Sequence, residues 1–420
     1  MNPAVKTAVC VDVGSTYTKA ALVDLGGGEL IRRAEVPTTS ATDVLTGLEQ
    51  AVAEVGGGDE LYVCSSAGGG LRLAVVGYES LVTAEAGHRV GLSAGASVVH
   101  VAAGPLDGRG VTALRESRPD VILLVGGTDG GDGEVLLHNA HRLATSRLRV
   151  PVVVAGNADV RDEAAARLAG RRVPVTVTGN VLPRIGVLDP APARAAIRSV
   201  FLRHVIGGKR LSRGPRFASL VRAATPDAVL AGVELLADLT GYGVLVVDVG
   251  GATTDVYSAL VPDAEAESGP RRDVAGTLWR SRTVEGDLGV AVGADGTRAA
   301  AAAEKLAVPL SGRVPGDVQL AAQAATVALR RHARGHASAP GQPRTGGRDL
   351  RDVRLVVGSG GVLRHGGGAY VLDAVLSDHA GGWAAPSQAR TVIDSRYVLA
   401  AAGMLSIDHR DVAAALMNSL

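Results

Sequence analysis

The sequence predicts an α/β protein made of two duplicated halves around a central cleft, with a further α/β domain between them. Three observations point there. One is a pattern of strand, Asp-x-Gly, small or hydroxyl residues and second strand, found at residues 11–19 and again at 247–255. Another is the middle third, where short apolar runs alternate with helical periods, as in parallel β-α units. The third is size: 420 residues, 46 % hydrophobic and 3 % aromatic. Such a chain is long enough for two or three domains, whose cores must be filled by Ala, Val and Leu.

Taken in order, Thr7–Val13 is a β-branched run broken by Gly14-Ser15-Thr16 and resumed by Tyr17–Leu25. Gly26-Gly27-Gly28 turns the chain into a third strand near Leu30–Val36. Residues 43–55 keep a helical period, and Leu61–Ser65 is a strand ending in Ala67-Gly68-Gly69-Gly70. Strands are expected at Val121–Val125, Val152–Ala155 and Val173–Thr178, with a helix at 161–169. Asp189-Pro190 and Thr225-Pro226 each offer an N-cap and a first-turn proline, to helices ending near Ile206 and Leu239. Residues 244–260 restart the N-terminal pattern, and Ala-rich helices follow near 295–306 and 315–334. Residues 335–350 are rich in Gly, Pro and Ser and read as an exposed loop. Arg330, Arg331, Arg334, Arg344, Arg348 and Arg351 read as a solvated stretch, with an acidic partner as the lesser alternative. A strand at Arg354–Val357 then meets Gly358-Ser359-Gly360-Gly361. The expected domains are 1–85, 86–240 and 241–420.

Lys+Arg is 43 against 42 for Asp+Glu, a net charge of +1. That balance argues against nucleic-acid binding driven by bulk charge. Cys10 and Cys64, each in an apolar strand, fit a reducing cytoplasm and exclude a cysteine zinc cluster. Met1–Lys6 lacks a signal-peptide pattern, and no apolar run reaches the ~18 residues of a membrane helix. No membrane partner is expected.

The duplicated turn carries the chemistry. Asp12 and Asp248, Gly14 and Gly250, and Thr18 and Thr254 are each 236 positions apart. A tight β-turn exposes backbone N–H groups around its glycine, and hydroxyls add donors, which makes an anion nest. The aspartate at the strand end supplies a hard oxygen for hydrated Mg²⁺. Two such turns can hold the β- and γ-phosphates from both sides. Glycines at 358, 360 and 361 let the backbone lie against a base and ribose.

As a set, these elements resemble the phosphate-1, phosphate-2 and adenosine motifs of the actin-like (ribonuclease H-like) ATPase superfamily, also called ASKHA. Four further segments resemble one branch of it, the glutamate mutase accessory protein family (GlmL/MutL). They are Cys64–Gly69 (CSSAGG), Ile122–Asp132 (ILLVGGTDGGD), Gly179–Gly186 (GNVLPRIG) and Val284–Gly289 (VEGDLG). The resemblance implies ATP/ADP and Mg²⁺ as cofactors and a weak, chaperone-like ATPase. It would reactivate an adenosylcobalamin-dependent mutase, with mutase subunits and a small accessory subunit as partners. By position, Asp12 and Asp248 would hold the metal and, with Lys19, form the catalytic set. Gly14, Ser15, Thr16, Gly250, Gly251, Thr253 and Thr254 would donate to phosphates, and Gly358, Gly360 and Gly361 would line the nucleoside. A small-molecule kinase and a non-catalytic nucleotide-binding module keep the same fold and change the use of the cleft. Glu85 and Asp129 are candidates for a base, each with a structural reading beside it. Asp255 would cap or salt-bridge within its hairpin.

Other signals carry less. Gly91-Leu92-Ser93-Ala94-Gly95 matches a nucleophile elbow, but a helix precedes it and a strand follows, the reverse of what the elbow needs. His138 and His141 share a helix face without a third ligand and read as surface residues. Gly126–Gly133 follows a strand directly and reads equally as an ion site or a mobile turn, with Asp129 and Asp132 suited to a second cation. Walker A and G-x-G-x-x-G motifs are absent.

Overall fold

The computed structural model describes residues 6–67, 71–79, 82–94, 96–206, 211–261, 279–306, 314–337, 344–345 and 347–420. They divide into two compact units, one through Ala228 and one from Val229. The division falls inside the helix Thr225–Thr240.

Each unit contains a five-stranded mixed sheet, and the two sheets have one topology. In the first unit the order is Val221–Ala224, Glu60–Ser65, Thr7–Val13, Tyr17–Asp24, Leu30–Pro37. Thr7–Val13 runs antiparallel to its hairpin partner and parallel to Glu60–Ser65. In the second unit the order, from the hairpin edge, is Arg280–Glu285, Thr254–Ala259, Gly243–Val249, Val353–Ser359, Arg390–Ile393. The first three of these pair antiparallel and the last three parallel, as in the first sheet. The duplication seen in two short motifs is thus a duplication of whole sheets, the actin-like arrangement.

Strand alternation decides which face is core. Val9, Val11 and Val13 pack with Val44, Leu48, Ala51 and Val55 of the helix Val44–Val55. Asp43 starts that helix by accepting from Leu45 N–H, and Gly56, at φ 93°, ends it. In the second unit Leu245, Val247 and Val249 lie under the helix Gly316–Arg334, which presents Ala321, Ala324, Ala325 and Ala328. Small side chains bring this helix close to the sheet, which is how a core poor in aromatics stays filled.

The first unit also holds a third sheet. Its order is Ser97–Ala103, Arg72–Gly77, Val121–Leu124, Val152–Val154, Val175–Val177, all parallel. Leu73 and Val75 face the helices Thr83–Ser93 and Ala191–Val200, while Ala74 and Val76 face Gly108–Glu116, Glu134–Thr145 and Arg161–Ala169. The sheet is doubly wound. Its first strand, Arg72–Gly77, was not among the expected elements. Both its faces are buried, so it has no alternation to read. The chain leaves the first sheet after Ser65, builds the third, and returns at Val221.

Two expectations are corrected. Pro190, not Asp189, stands at the cap of Ala191–Val200, without a side-chain bond, and the helix widens into a π turn at Phe201–Ile206. The arginines of 330–351 are not one solvated stretch. Arg330, Arg331 and Arg334 end the helix Gly316–Arg334 and reach carboxylates on other elements. Arg330 is 2 % exposed and bonds both oxygens of Asp378 at 2.7 Å. Arg348 donates to Ser281, and Arg351 pairs with Asp349 at the surface. The Arg344 side chain lies outside the described residues. Among the described residues no helix is long and apolar enough to cross a membrane.

Candidate phosphate turns

The two turns are built alike. Gly14 N–H donates to Tyr17 C=O at 3.0 Å, and Gly250 N–H donates to Thr253 C=O at 2.9 Å. A Cβ on Gly14 would lie 2.7 Å from the Tyr17 carbonyl oxygen, and one on Gly250 3.1 Å from that of Thr253. The first turn therefore needs glycine at its first position, and the second leaves little room for anything larger there. Ser15, Thr16, Gly251 and Ala252 are exposed at the tips, whereas Thr18 and Thr254 are buried.

Each turn is held by its carbonyls. Thr38 N–H donates to Thr16 C=O. Val290 N–H donates to Gly250 C=O, and the N–H groups of Ala291 and Gly293 donate to Gly251 C=O. In a trans peptide the N–H points opposite the C=O, so the amides of Tyr17, Gly251 and Ala252 turn away from these supports. That leaves them disposed to receive an anion.

The support of the second turn is the segment 286–293, of which sequence reading singled out only the part within Val284–Gly289, as a branch feature. It lies directly on the turn: a Cβ on Gly289 would meet Gly251 oxygen at 2.5 Å, and one on Gly293 would meet Ala252 oxygen at 2.5 Å. Thr297 locks it by bonding Gly289 N–H and C=O, each at 2.9 Å. The Thr254 hydroxyl donates to Leu288 C=O at 3.0 Å. It is spent inside the unit and anchors the turn.

The aspartates sit one residue before the last of each central strand. Asp12 is directly opposite Lys19, and Asp248 directly opposite Asp255. The first pairing places a cation across from the carboxylate; the second places two carboxylates together. Arg282, from the next strand, bonds Asp255 Oδ1 through Nε at 3.0 Å and Nη2 at 2.6 Å. It is buried with Tyr257, over whose ring it lies at 5.7 Å. Burial, with Asp255 next in weight, holds the Tyr257 hydroxyl well above its ordinary value. Asp255 thus salt-bridges within its sheet. Around Asp12, Cys64 Sγ approaches Oδ1 at 3.6 Å and Thr225 donates to the same oxygen. Burial, and next the Asp12 charge, push the Cys64 thiol well up; burial takes Cys10 to about 12. Neither thiol is a nucleophile at neutral pH.

On the core face of the second sheet a buried chain of polar groups runs from Thr283 through His332 to Ser258 and Ser281, where Arg348 joins it. Burial, with Arg348 second, holds the His332 imidazole well below its ordinary value. An unfolded chain would take a proton there near pH ~6.5, and the native unit would not. Stability is therefore complete above that pH and falls below it, by up to ~1.4 kcal/mol per pH unit. Denaturation midpoints measured from pH 7 to 5 should show that slope, and His332→Gln should flatten it.

The third predicted element divides in role. Gly358 faces the core, where a Cβ would strike Leu363 Cδ2 at 2.7 Å and Ile393 Cδ1 at 2.9 Å. Gly360, at φ 101°, lies against Val249, whose carbonyl oxygen would be 2.1 Å from a Cβ. Nothing lies within 4 Å of a Cβ at Gly361, so this glycine offers bare backbone. Beyond it Arg364 stacks on Tyr397, 4.0 Å from the ring centroid. Sequence reading missed this pair, which no local pattern links.

The remaining candidates are structural. Glu85 is buried and bonds Arg89 at 2.8 Å. Asp129 Oδ1 accepts from Ala158 N–H at 2.9 Å and Asn180 Nδ2 at 2.8 Å, and Asp132 accepts from Glu134 N–H at 2.8 Å. These carboxylates pin the loop, so each has a structural role of its own. Ser93 is buried and donates to Val90 C=O, and Gly95 lies outside the described residues. His138 is exposed and contacts Leu106 C=O.

Among solved structures the chain is similar to the ATP-dependent caprolactamase of Pseudomonas jessenii, at 14 % identity over 95 % of this chain and 70 % of that one, TM-score 0.38. It is similar also to component A of the Acidaminococcus fermentans (R)-2-hydroxyglutaryl-CoA dehydratase, at 10 % identity over 97 % and 99 %, TM-score 0.33. Protein MutL of Clostridium tetanomorphum is 33 % identical, with 97 % of each chain covered. The model of the MutL protein family matches residues 8–317 and 312–420. With nearly its whole length matched to that model, and a third of its residues shared with a full-length relative, the chain belongs to the MutL protein family.

Proposed function

We propose that this chain binds Mg-ATP through its two phosphate turns and serves, in the cytoplasm, as a reactivating accessory factor for an adenosylcobalamin-dependent mutase of the glutamate mutase type. The observation that carries the nucleotide reading is the pair of glycine-closed turns on sheets of one topology, each with an aspartate at its strand end. Membership in the MutL family supports the mutase role.

The donor set suits magnesium. Asp12 and Asp248 offer hard carboxylate oxygens, and among the described residues no group of three or more His, Cys, Asp or Glu could hold a metal. An ion bound mainly by phosphates and water, with carboxylates as anchors, fits that set. Bound there, Mg²⁺ would neutralise phosphate charge. The amides of Gly251 and Ala252 would hold phosphate oxygens, and Lys19 would add positive charge opposite Asp12. Gly361 and the Arg364–Tyr397 stack would receive the nucleoside.

Two experiments test this. Calorimetric titration with ATP and ADP, with and without Mg²⁺, should show magnesium-dependent binding. A mutase carrying damaged cofactor should regain activity when given this chain and Mg-ATP together. Turnover stimulated by one metabolite, with a phosphorylated product, would make it a kinase instead. Binding without turnover or mutase recovery would make it a docking module.

A further inference from the structure

Two donors converge on a single oxygen in the first unit. Cys64, in register with Asp12 on the neighbouring parallel strand, directs its thiol at Asp12 Oδ1. Thr225, the residue after strand Val221–Ala224 and the first of the helix Thr225–Thr240, donates its hydroxyl to the same Oδ1. Both of these contacts fall on Oδ1 and hold the carboxylate; in the Mg-ATP reading Oδ2 is the oxygen that would meet the hydrated cation. A carboxylate that meets a hydrated cation must hold one orientation while its charge is drawn toward the ion. A donor hydroxyl weakens or strengthens its bond as that charge moves.

What Thr225 is attached to gives the contact its significance. Two residues on, Asp227 is buried and ion-pairs with Arg198 of the helix Ala191–Val200, which packs on the third sheet. The first turn of the helix Thr225–Thr240 is thus fastened to the Asp12 carboxylate and to the layer over the third sheet. The division between the two units falls in the next turn of the same helix. The strand-to-helix junction of the second sheet is wired otherwise. There Asp394 directs its carboxylate to its own helix, Oδ1 to Val398 N–H and Oδ2 to Leu399 N–H.

We propose that Thr225 is a positioning residue for Asp12, and that its hydrogen bond ties the state of this carboxylate to the helix in which the two units divide. This rests on the Mg-ATP reading above. The test compares wild type, Thr225→Val and Thr225→Ser in two measurements. One is the ATP Kd with and without Mg²⁺; the other is hydrogen exchange over 229–240 before and after Mg-ATP. Wild type should bind more tightly with Mg²⁺ and change its exchange over 229–240. Thr225→Val should lose about tenfold of the magnesium gain, keep its magnesium-free Kd, and show no exchange change. Thr225→Ser should keep both. Thr225→Ala, which adds no bulk beside Cys64, replaces the valine variant if that does not fold. A wild-type magnesium gain retained in the Val or Ala variant overturns the assignment of Thr225 while leaving the Mg-ATP reading intact. An unaltered exchange response in that variant overturns the tie to the helix. Absence of any magnesium gain in wild type overturns the Mg-ATP reading itself, and this proposal with it.

Discussion

Asp248→Asn is expected to weaken Mg-ATP binding about a hundredfold, some 2.7 kcal/mol, without lowering the thermal midpoint. The two halves of that expectation come from one geometry. Asp248 stands before the second turn, where in the proposed site its charge would anchor the cation, so the neutral amide would remove the anchor while keeping the shape. It also stands directly across the strand pair from Asp255. Like charges in opposed positions destabilise a sheet, and Arg282 pairs with Asp255. Removing one of the two charges therefore relieves repulsion, and the hairpin should be as stable as before or slightly more so. Asp12→Asn lacks this relief, because Lys19 is its cross-strand partner. Its midpoint should drop while its affinity also falls. Calorimetric titration beside a thermal scan separates the two. Equal destabilisation by both substitutions would refute the charge argument, and unchanged affinity in both would refute the site.

The second large effect is on stability. Arg330→Met should cost about 3–5 kcal/mol, the usual consequence of breaking a buried ion pair from one side. Arg330 side-chain exposure is 2 % and that of Asp378 is 8 %. The guanidinium also donates to Glu304 C=O at 2.9 Å, and Asp378 takes a further bond from Trp383 Nε1 at 2.6 Å. Truncating the arginine leaves Asp378 buried with two neutral donors, the Trp383 indole N–H and the Ala380 N–H, its charge uncompensated. For a unit of this size the midpoint should fall by about 10 °C. The double variant Arg330→Met/Asp378→Leu should recover most of the loss, since an apolar pair of similar volume needs no compensation. Tryptophan fluorescence during thermal unfolding would follow both. A double variant no better than the single would show that the arginine acts through packing.

What could be read from the sequence was whatever is encoded locally. The two turns declare themselves because glycine, hydroxyls and aspartate recur in register after buried strands. The helix Val44–Val55 shows its period, its Asp43 cap and its terminal glycine in one stretch. Elements whose meaning depends on distant partners stayed hidden. Arg330 and Arg331 look like solvated charge until Glu304, Asp378, Glu285 and Asp287 are brought to them. Thr225 looks like a helix start until the return of the chain to the first sheet puts it at Asp12. The segment 286–293 has glycines whose necessity appears only when the turn beneath it is present. Asp129 and Asp132 look like ligands in sequence and are loop pins in the structure, because Ala158, Asn180 and Glu134 supply the donors.

The insertion of the third sheet sets an order of events during synthesis. Its five strands come from one continuous stretch, between Arg72 and Val177, and can pair as they leave the ribosome. The first sheet cannot close so early. Glu60–Ser65 must wait for Val221–Ala224, which emerges after the whole third sheet. Until then the strand that carries Cys64 is an unpaired edge, apolar and able to join another nascent chain. Closure of this ladder brings together residues far apart in sequence, a slow step at any stability. The same late closure places Thr225 beside Asp12, so the aspartate before the first turn gains this partner only once the N-terminal sheet is complete.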